Sequence, residues 1–501
     1  MDSNPHALMS TRSTRTGTWS FIRAASALFT VAVCISQAIG CSTDPPQPPH
    51  PQNLIIISID TLRADHMSLH GYERPTTPRI DTFAERAATF DRAIAPWPKT
   101  VPSMVAMFNS RYPHSTGIMY GSSGQYVPDE ELMLAEIARA QGLSTAAVVS
   151  NAVLGSATNF GQGFDSYVET YKEESPFEPE YRNSANSVTA YARLLLRQHA
   201  AGDPFFLWAH YVDPHATYDP PEEFAAPFMN DGMYDSTELR LNEDNGNFHG
   251  GVAGRYWRRN GEQSELGWYV ANYDGEIAFT DDQIGMLLDE IEQMGLLSNT
   301  AVMITSDHGE SLGEHQYFFE HGWFPYNACG WIPWVIYWPD MPNPGSRIAY
   351  PSSLLNLVPT VNEIMGWEVE GAEFHGTSVV PVISGEVETV DPHVVIEGGE
   401  GGLKWHEFLR AVQDERWKLV YVPSERYRGM MQGTEIELYD VIADPMETLN
   451  LADSQPDIVT RLKRELARII SATGPIKEAP GRQPRYSEEE LRSLRSLGYI
   501  Q

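Results

Sequence analysis

The stretch NLIIISID, residues 53–60, is an unbroken apolar run that ends on Asp60. A half-exposed strand alternates apolar and polar positions. This one has no wet face, so it reads as a parallel strand covered by helices on both sides. The theme recurs along the chain. PRIDTFAERAATF (78–90) has the spacing of an amphipathic helix, and LAEIARAQGLSTAAVVSN (134–151) is a helix followed by a strand ending at Asn151. DPFFLWAHYVDPH (203–215) is a strand with a polar end, GEIAFTDDQIGMLLDEIEQMG (275–295) is helical, and TAVMITSDHGE (300–310) is a strand ending in Asp307 and His308. Such alternation predicts an α/β fold, a large mainly parallel sheet sandwiched by helices, over residues 53–390. The pattern then changes. HVVIEG, FLRAVQ, WKLVYVP and IELYDV are short strands between turn signals, followed by the helix PDIVTRLKRELARIISA. Residues 391–501 therefore read as a C-terminal subdomain, a smaller antiparallel sheet plus helix.

In open α/β sheets ligands bind beyond the carboxyl ends of the strands. Asp60, Asp213, His215, Asp307 and His308 all lie at or just after such ends. A lone Asp there usually caps a turn, whereas several acids and histidines converging from distant strands favour a metal or catalytic site. Thr100, in KTVPSMVAMF, has two readings. It is a good helix N-cap ahead of Pro102, and its hydroxyl is equally a candidate nucleophile. Asp60, the Thr100 hydroxyl, Asp307 and His308 together suit one divalent cation, zinc or manganese by the imidazole, calcium or magnesium by the oxygens. His215 and His321 would hold the oxygens of an anionic substrate or protonate a leaving group.

Lys and Arg number 35 against 67 Asp and Glu, a net charge of −32. That excludes nucleic acid as a partner, since a phosphate backbone needs a basic face. An anionic substrate must likewise be held by a metal or a local basic pocket against the field of the whole protein. Arg255, Arg258 and Arg259 are either solvated ion-pair partners or a cationic lid, the former preferred.

At the N-terminus, Arg12, Arg15 and Arg23 flank the apolar run AASALFTVAVCISQAIG, followed by Cys41. This is the layout of a secretory signal. AIGC resembles a bacterial lipobox, with Ala38 where Leu is commonest, so residues 1–40 read as a lipoprotein-type signal peptide and Cys41 as the lipidation site. Residues 41–52 are a Pro-rich tether. The expected location is outside the cytoplasm, lipid-anchored to a bacterial membrane at the periplasmic face or cell surface. A plain signal peptide or an uncleaved anchor are the alternatives. Of Cys34, Cys41 and Cys329, only Cys329 would remain free, which leaves no disulfide framework. It reads as a small buried hydrophobe.

With these motifs in hand, the chain resembles the sulfatase family of the alkaline phosphatase superfamily over roughly residues 53–500. NLIIISIDTLRADHMSLHGYERPTTP looks like the family's opening metal-binding strand, RYPHSTG like the sequence after its nucleophile, and YDGEIAFTDDQIGMLLDEIEQMGLLSNTAVMITSDHGESLGEH like its helix, strand and second metal pair. ELYDVIADPMETLNLAD and RSLGYI are similar to its C-terminal subdomain. The resemblance implies metal roles for Asp60, Asp307 and His308, the nucleophile position at Thr100, and anion contacts from His215 and His321. Asp213, His215 and His321 also have the residue types of a second metal site, although one metal is favoured. Glu310 and His315 read as residues that orient ligands, and His66, His70 and His114 as structural or exposed.

The departures carry information. Sulfatases have Cys or Ser, any residue, Pro, any residue, Arg, with the first residue converted to formylglycine. Here the stretch is TVPSM, with Met104 in place of Arg and Thr61 where many sulfatases have a second Asp. Conversion of a threonine would give a ketone instead of the aldehyde. Thr100 thus resembles the unmodified threonine of the superfamily's phosphodiesterases and phosphotransferases, lipoteichoic acid synthase-like enzymes among them. The favoured expectation is a metal-dependent phosphoester hydrolase acting on a small-molecule or envelope ester. Alternatives are a sulfatase proper, an envelope head-group transferase, and an inactive anion-binding lipoprotein, which Met104 and Ser110 keep open.

Overall fold

The computed structural model describes residues 50–501 except 120–124, 173–184, 200–201, 230, 235–238, 240–262, 400–406, 429–432, 479–480, 498 and 500–501. The signal peptide, Cys41, nearly all of the tether and the Arg255, Arg258 and Arg259 cluster lie outside the described residues.

Strand β1 (Asn53–Ile59) is buried at every position. Its side chains alternate between two cores: Leu54 and Ile56 face one, and Ile55, Ile57 and Ile59 face the other. The first core is closed by the helices Thr100–Asn109, Leu134–Ala140 and Leu357–Met365, the second by Ala185–His199 and Leu266–Gln293. An aliphatic side chain taken fully out of water contributes about 1.5–3 kcal/mol. The five in β1 together outweigh the several kcal/mol it costs to bury a carboxylate at its end.

The other strands of the large sheet are β2 (Ala88–Ile94), β3 (Ser144–Val149), β4 (Ser166–Glu169), β5 (Phe205–Tyr211) and β6 (Thr300–Ser306). A separate small ribbon holds β7 (Ser311–Leu312) and β8 (Phe318–Glu320); β9 (Trp331–Tyr337), β10 (Arg347–Ile348) and β11 (Ser352–Ser353) return to the large sheet. The order across it is β10-β2-β9-β6-β1-β5-β3-β4, with β11 paired to β2. β1 runs parallel to both β5 and β6, and β9 is antiparallel to β2 and β6. Ile59 is in register with Tyr211 and with Ser306, so the carboxyl ends of the three central strands finish level. Asp60, Asp307 and the segment after Tyr211 leave the sheet side by side.

One local expectation fails. The helix at residue 78 stops at Ala84, and ATFDRAI forms β2. Ala87, Ala88 and Phe90 fit either period, but they are buried between β9 and the helix layer, where only a strand completes the ladder.

The second sheet is antiparallel: β12 (Val394–Gly398), β13 (Leu409–Gln413), β14 (Trp417–Tyr421) and β15 (Ile436–Asp440), in that order. Val395, Val412, Leu419 and Leu438 pack on Leu462, Leu466 and Ile469 of the helix Pro456–Ala472. On its other face Ile396, Ala411, Val420 and Tyr439 pack on Phe324 and Tyr326.

Candidate active site

Thr100 opens the helix Thr100–Asn109, but it does not cap it. Lys99 is the N-cap residue and makes no side-chain cap hydrogen bond. The Thr100 hydroxyl is therefore free of backbone work, and it points to the sheet edge, 3.2 Å from Nε2 of His308 and 3.1 Å from the phenol oxygen of Tyr499. Met104 is fully buried in the core beneath.

Asp60, Asp307 and His308 are buried and offer one ligand atom each within 4.8 Å of one another. Each carboxylate is half satisfied. Asp60 Oδ2 accepts the Asn151 amide at 2.6 Å, while Oδ1 has no hydrogen-bond partner. Asp307 Oδ1 accepts the backbone N–H of His308 at 2.9 Å, while Oδ2 has none. Those two orphan oxygens lie 3.7 and 3.4 Å from His308 Nε2. The other ring nitrogen, Nδ1, donates to the Gly309 carbonyl at 2.9 Å, which leaves Nε2 as a lone pair. Buried acceptors without donors are costly, and a divalent cation is what this oxygen-rich set with one nitrogen fits.

Thr61 makes the turn that holds the pair. At φ +56° it sits in the left-handed region, which a β-branched residue rarely adopts. Its backbone N–H reaches Asp307 Oδ1 at 3.4 Å, and its carbonyl accepts the Tyr273 hydroxyl at 2.7 Å.

Electrostatics separate the two acids. Burial pushes the Asp60 carboxyl up, but the His210 imidazole beside it and the charges of His215 and His308 overcome it and bring it down to about 2. Asp307 is raised well above the usual range by burial and then by the Asp60 charge. Burial lowers His308 to about 4 against the pull of Asp60. His321 is driven well below its ordinary value by burial and by His308, His215 and Lys99. Tyr499 is raised by burial and by Asp60, so its phenol keeps its proton.

His215 and His321 face the cluster. Their rings are 5.0 Å apart, and His321 lies 4.4 Å from His308. His215 Nε2 is buried without a partner, and Nδ1 donates to the Ala216 carbonyl. Glu310 orients His321 through Nδ1 at 3.1 Å. Asp213 is not brought to this set: its carboxylate accepts the Ala185 N–H at 2.5 Å, at the start of the helix Ala185–His199, and burial raises it to about 7. Among the described residues, no second cluster of three acids, histidines or cysteines has metal-binding spacing. His315 also stands apart, stacked on Tyr326 at 3.7 Å. His66 and His114 are tied to Asp274 and Glu397 in the interior. Cys329 is buried, and burial raises its thiol.

Sequence reading did not single out Asn151, His210 or Tyr499 as site residues. His210 lies in the middle of an apolar strand, yet its Nε2 is 3.6 Å from Asp60 and its Nδ1 is 2.9 Å from Ser58. A lone His within a buried strand was the one available signal.

The profile of the family described as Sulfatase matches residues 52–367. An ulvan-active sulfatase of Formosa agariphila is 24% identical over 449 residues, 84% of this chain and 82% of that protein. An N-acetylglucosamine-6-O-sulfatase of Bacteroides thetaiotaomicron is 23% identical over 496 residues, covering 84% and 86%. Among solved structures, the phosphonate monoester hydrolase of Agrobacterium radiobacter superposes with a TM-score of 0.67 at 21% identity over 85% of this chain and 96% of that one, which is a likeness of fold.

Proposed function

The chain belongs to the sulfatase family of the alkaline phosphatase superfamily and is an ester hydrolase; from that premise we propose that its nucleophile is the unmodified hydroxyl of Thr100. The observation that carries this reading is the Thr100 oxygen itself, free of capping and 3.2 Å from His308 Nε2, beside two carboxylate oxygens without partners.

Asp60, Asp307, His308 and Thr100 would hold the divalent metal on which the family depends. When bound, it would supply positive charge that favours the ionised threonine and offsets charge on the ester. The chain's own groups do the rest. The Thr100 oxygen attacks the phosphorus or sulfur centre, the bond to the ester oxygen breaks, and the departing alcohol takes a proton. His215 and His321 are placed beside the non-bridging oxygens, and one of them, on taking up the proton that Thr100 loses, would pass it to that alcohol. Water then cleaves the threonine ester and restores the hydroxyl.

Phosphate esters are the favoured substrates, because a threonine phosphoester is resolved by attack at phosphorus, whereas a threonine sulfate lacks the elimination route open to an aldehyde hydrate. The names of the relatives favour the second reading, sulfate esters, with sulfated glycans the first to test. Initial rates on matched aryl phosphate diester, phosphate monoester and sulfate ester, with and without chelator, separate them. Chelator-sensitive diester cleavage supports the phosphoester reading, and dominant sulfate release overturns it.

The location belongs to the same proposal: export, then lipid anchoring at Cys41 behind the tether. Incorporation of labelled palmitate that disappears in Cys41→Ser is the expected result, and a soluble, unlabelled mature chain would contradict it.

A further inference from the structure

Tyr499 stands 399 residues from Thr100 in sequence, yet its phenol oxygen is 3.1 Å from the Thr100 oxygen. The same phenol oxygen accepts the Asn151 amide at 3.0 Å, and that amide also donates to Asp60. The ring lies against His215, centroids 5.3 Å apart and planes inclined by 30°. The preceding segment holds it there firmly. In the helix Glu488–Ser496, Ser487 and Glu490 form a capping box, Leu494 is fully buried, and Glu490 pairs with Lys172 at 2.9 Å.

His308 Nδ1 gives its hydrogen to the Gly309 carbonyl, so Nε2 can only accept, and the Thr100 hydroxyl is the donor beside it. At the far end the Asn151 amide is a donor and takes up one lone pair of the phenol. The phenol hydrogen then has the Thr100 oxygen as its acceptor. Hydrogen bonds run one way, from Asn151 through Tyr499 to Thr100, and that direction does not depend on His308, since an ionised Thr100 oxygen can only accept.

We propose that Tyr499 is a catalytic residue of the hydrolysis, donating its phenol hydrogen to the Thr100 oxygen, which fixes that oxygen's direction and supports its negative charge before attack. The proposal rests on Thr100 being the nucleophile. A hydrogen bond to an ionised oxygen is stronger than one to a neutral hydroxyl, so the phenol favours the reactive form over the resting one.

Tyr499→Phe keeps the ring and removes only the hydroxyl. It should lower kcat about tenfold, the scale of one charge-assisted hydrogen bond, with KM unchanged and the unfolding temperature held. Fluorotyrosines of graded acidity installed at 499 should change kcat in step with the donor strength of the hydroxyl, a dependence that a purely structural hydroxyl would not produce. Full kcat in Tyr499→Phe overturns the proposal. So does a rise in rate with a fall in KM, because the phenol would then be an obstacle in the substrate's place. Thr100→Ala, run alongside, separates the two readings. If it is inactive while Tyr499→Phe keeps full kcat, the tyrosine proposal alone fails; if Thr100→Ala is active, the nucleophile reading has failed first.

Discussion

The hydroxyl of Thr100 lies 3.2 Å from Nε2 of His308, across 208 residues of sequence. One comes from the first turn of a helix, the other from the end of β6. The contact exists because the central strands finish level and Thr100 begins its helix without capping it. The candidate chemistry depends on keeping those two atoms in place.

Gly309 is one point where that placement can be broken. A Cβ there would sit 2.2 Å from the Ala328 carbonyl oxygen, a distance at which the backbone must move. The Gly309 carbonyl fixes the His308 ring, so Gly309→Ala should turn the ring and abolish stoichiometric metal binding. Metal content after desalting is the check; full occupancy would show that the ring tolerates the shift.

Metal removal should be visible without any substrate. Asp307, raised by burial and the Asp60 charge, keeps its proton to higher pH than an ordinary carboxyl, so a cation competes with that proton for the carboxylate. Binding should therefore release protons, and affinity should rise with pH. Calorimetry in buffers of different ionisation enthalpy measures this directly. Added metal should also raise the unfolding temperature, as any ligand of the folded state does.

A buried ion pair beside the small sheet is tied through Asn327 to the segment that leads into β9. Lys418 Nζ in β14 is 2.7 Å from Glu447 and 3.0 Å from Asn327 Oδ1, and Glu447 also accepts the Asn327 N–H at 2.6 Å. Removing one partner leaves a charge uncompensated, so Lys418→Met should cost about 3–5 kcal/mol. The double variant Lys418→Met/Glu447→Leu should recover most of that loss. Chemical denaturation of the four-member cycle gives both numbers.

Much of this arrangement was legible in the sequence, for physical reasons. Strands covered on both faces must be continuously apolar, so β1, β5 and β6 announced themselves, and the acids at their ends followed. β2 was hidden because Ala and Phe at 87–90 suit a helix as well as a strand, and only pairing with β9 decides between them. Asp213 had the chemistry of a ligand but was taken up by the N–H of Ala185, a local need that spacing does not display. Asn151 and Tyr499 matter through partners 91 and 399 residues away, and pattern reading along the chain does not see such distances.

The most direct test of the central claim is peptide mass mapping of enzyme quenched in acid during turnover of an aryl phosphate diester. The account predicts a phosphoryl group on Thr100 that is absent in Thr100→Ala, which should also lose at least about a thousandfold in rate, as expected when a nucleophile is removed. An unmodified Thr100 during steady turnover, with near-normal activity in Thr100→Ala, would contradict it.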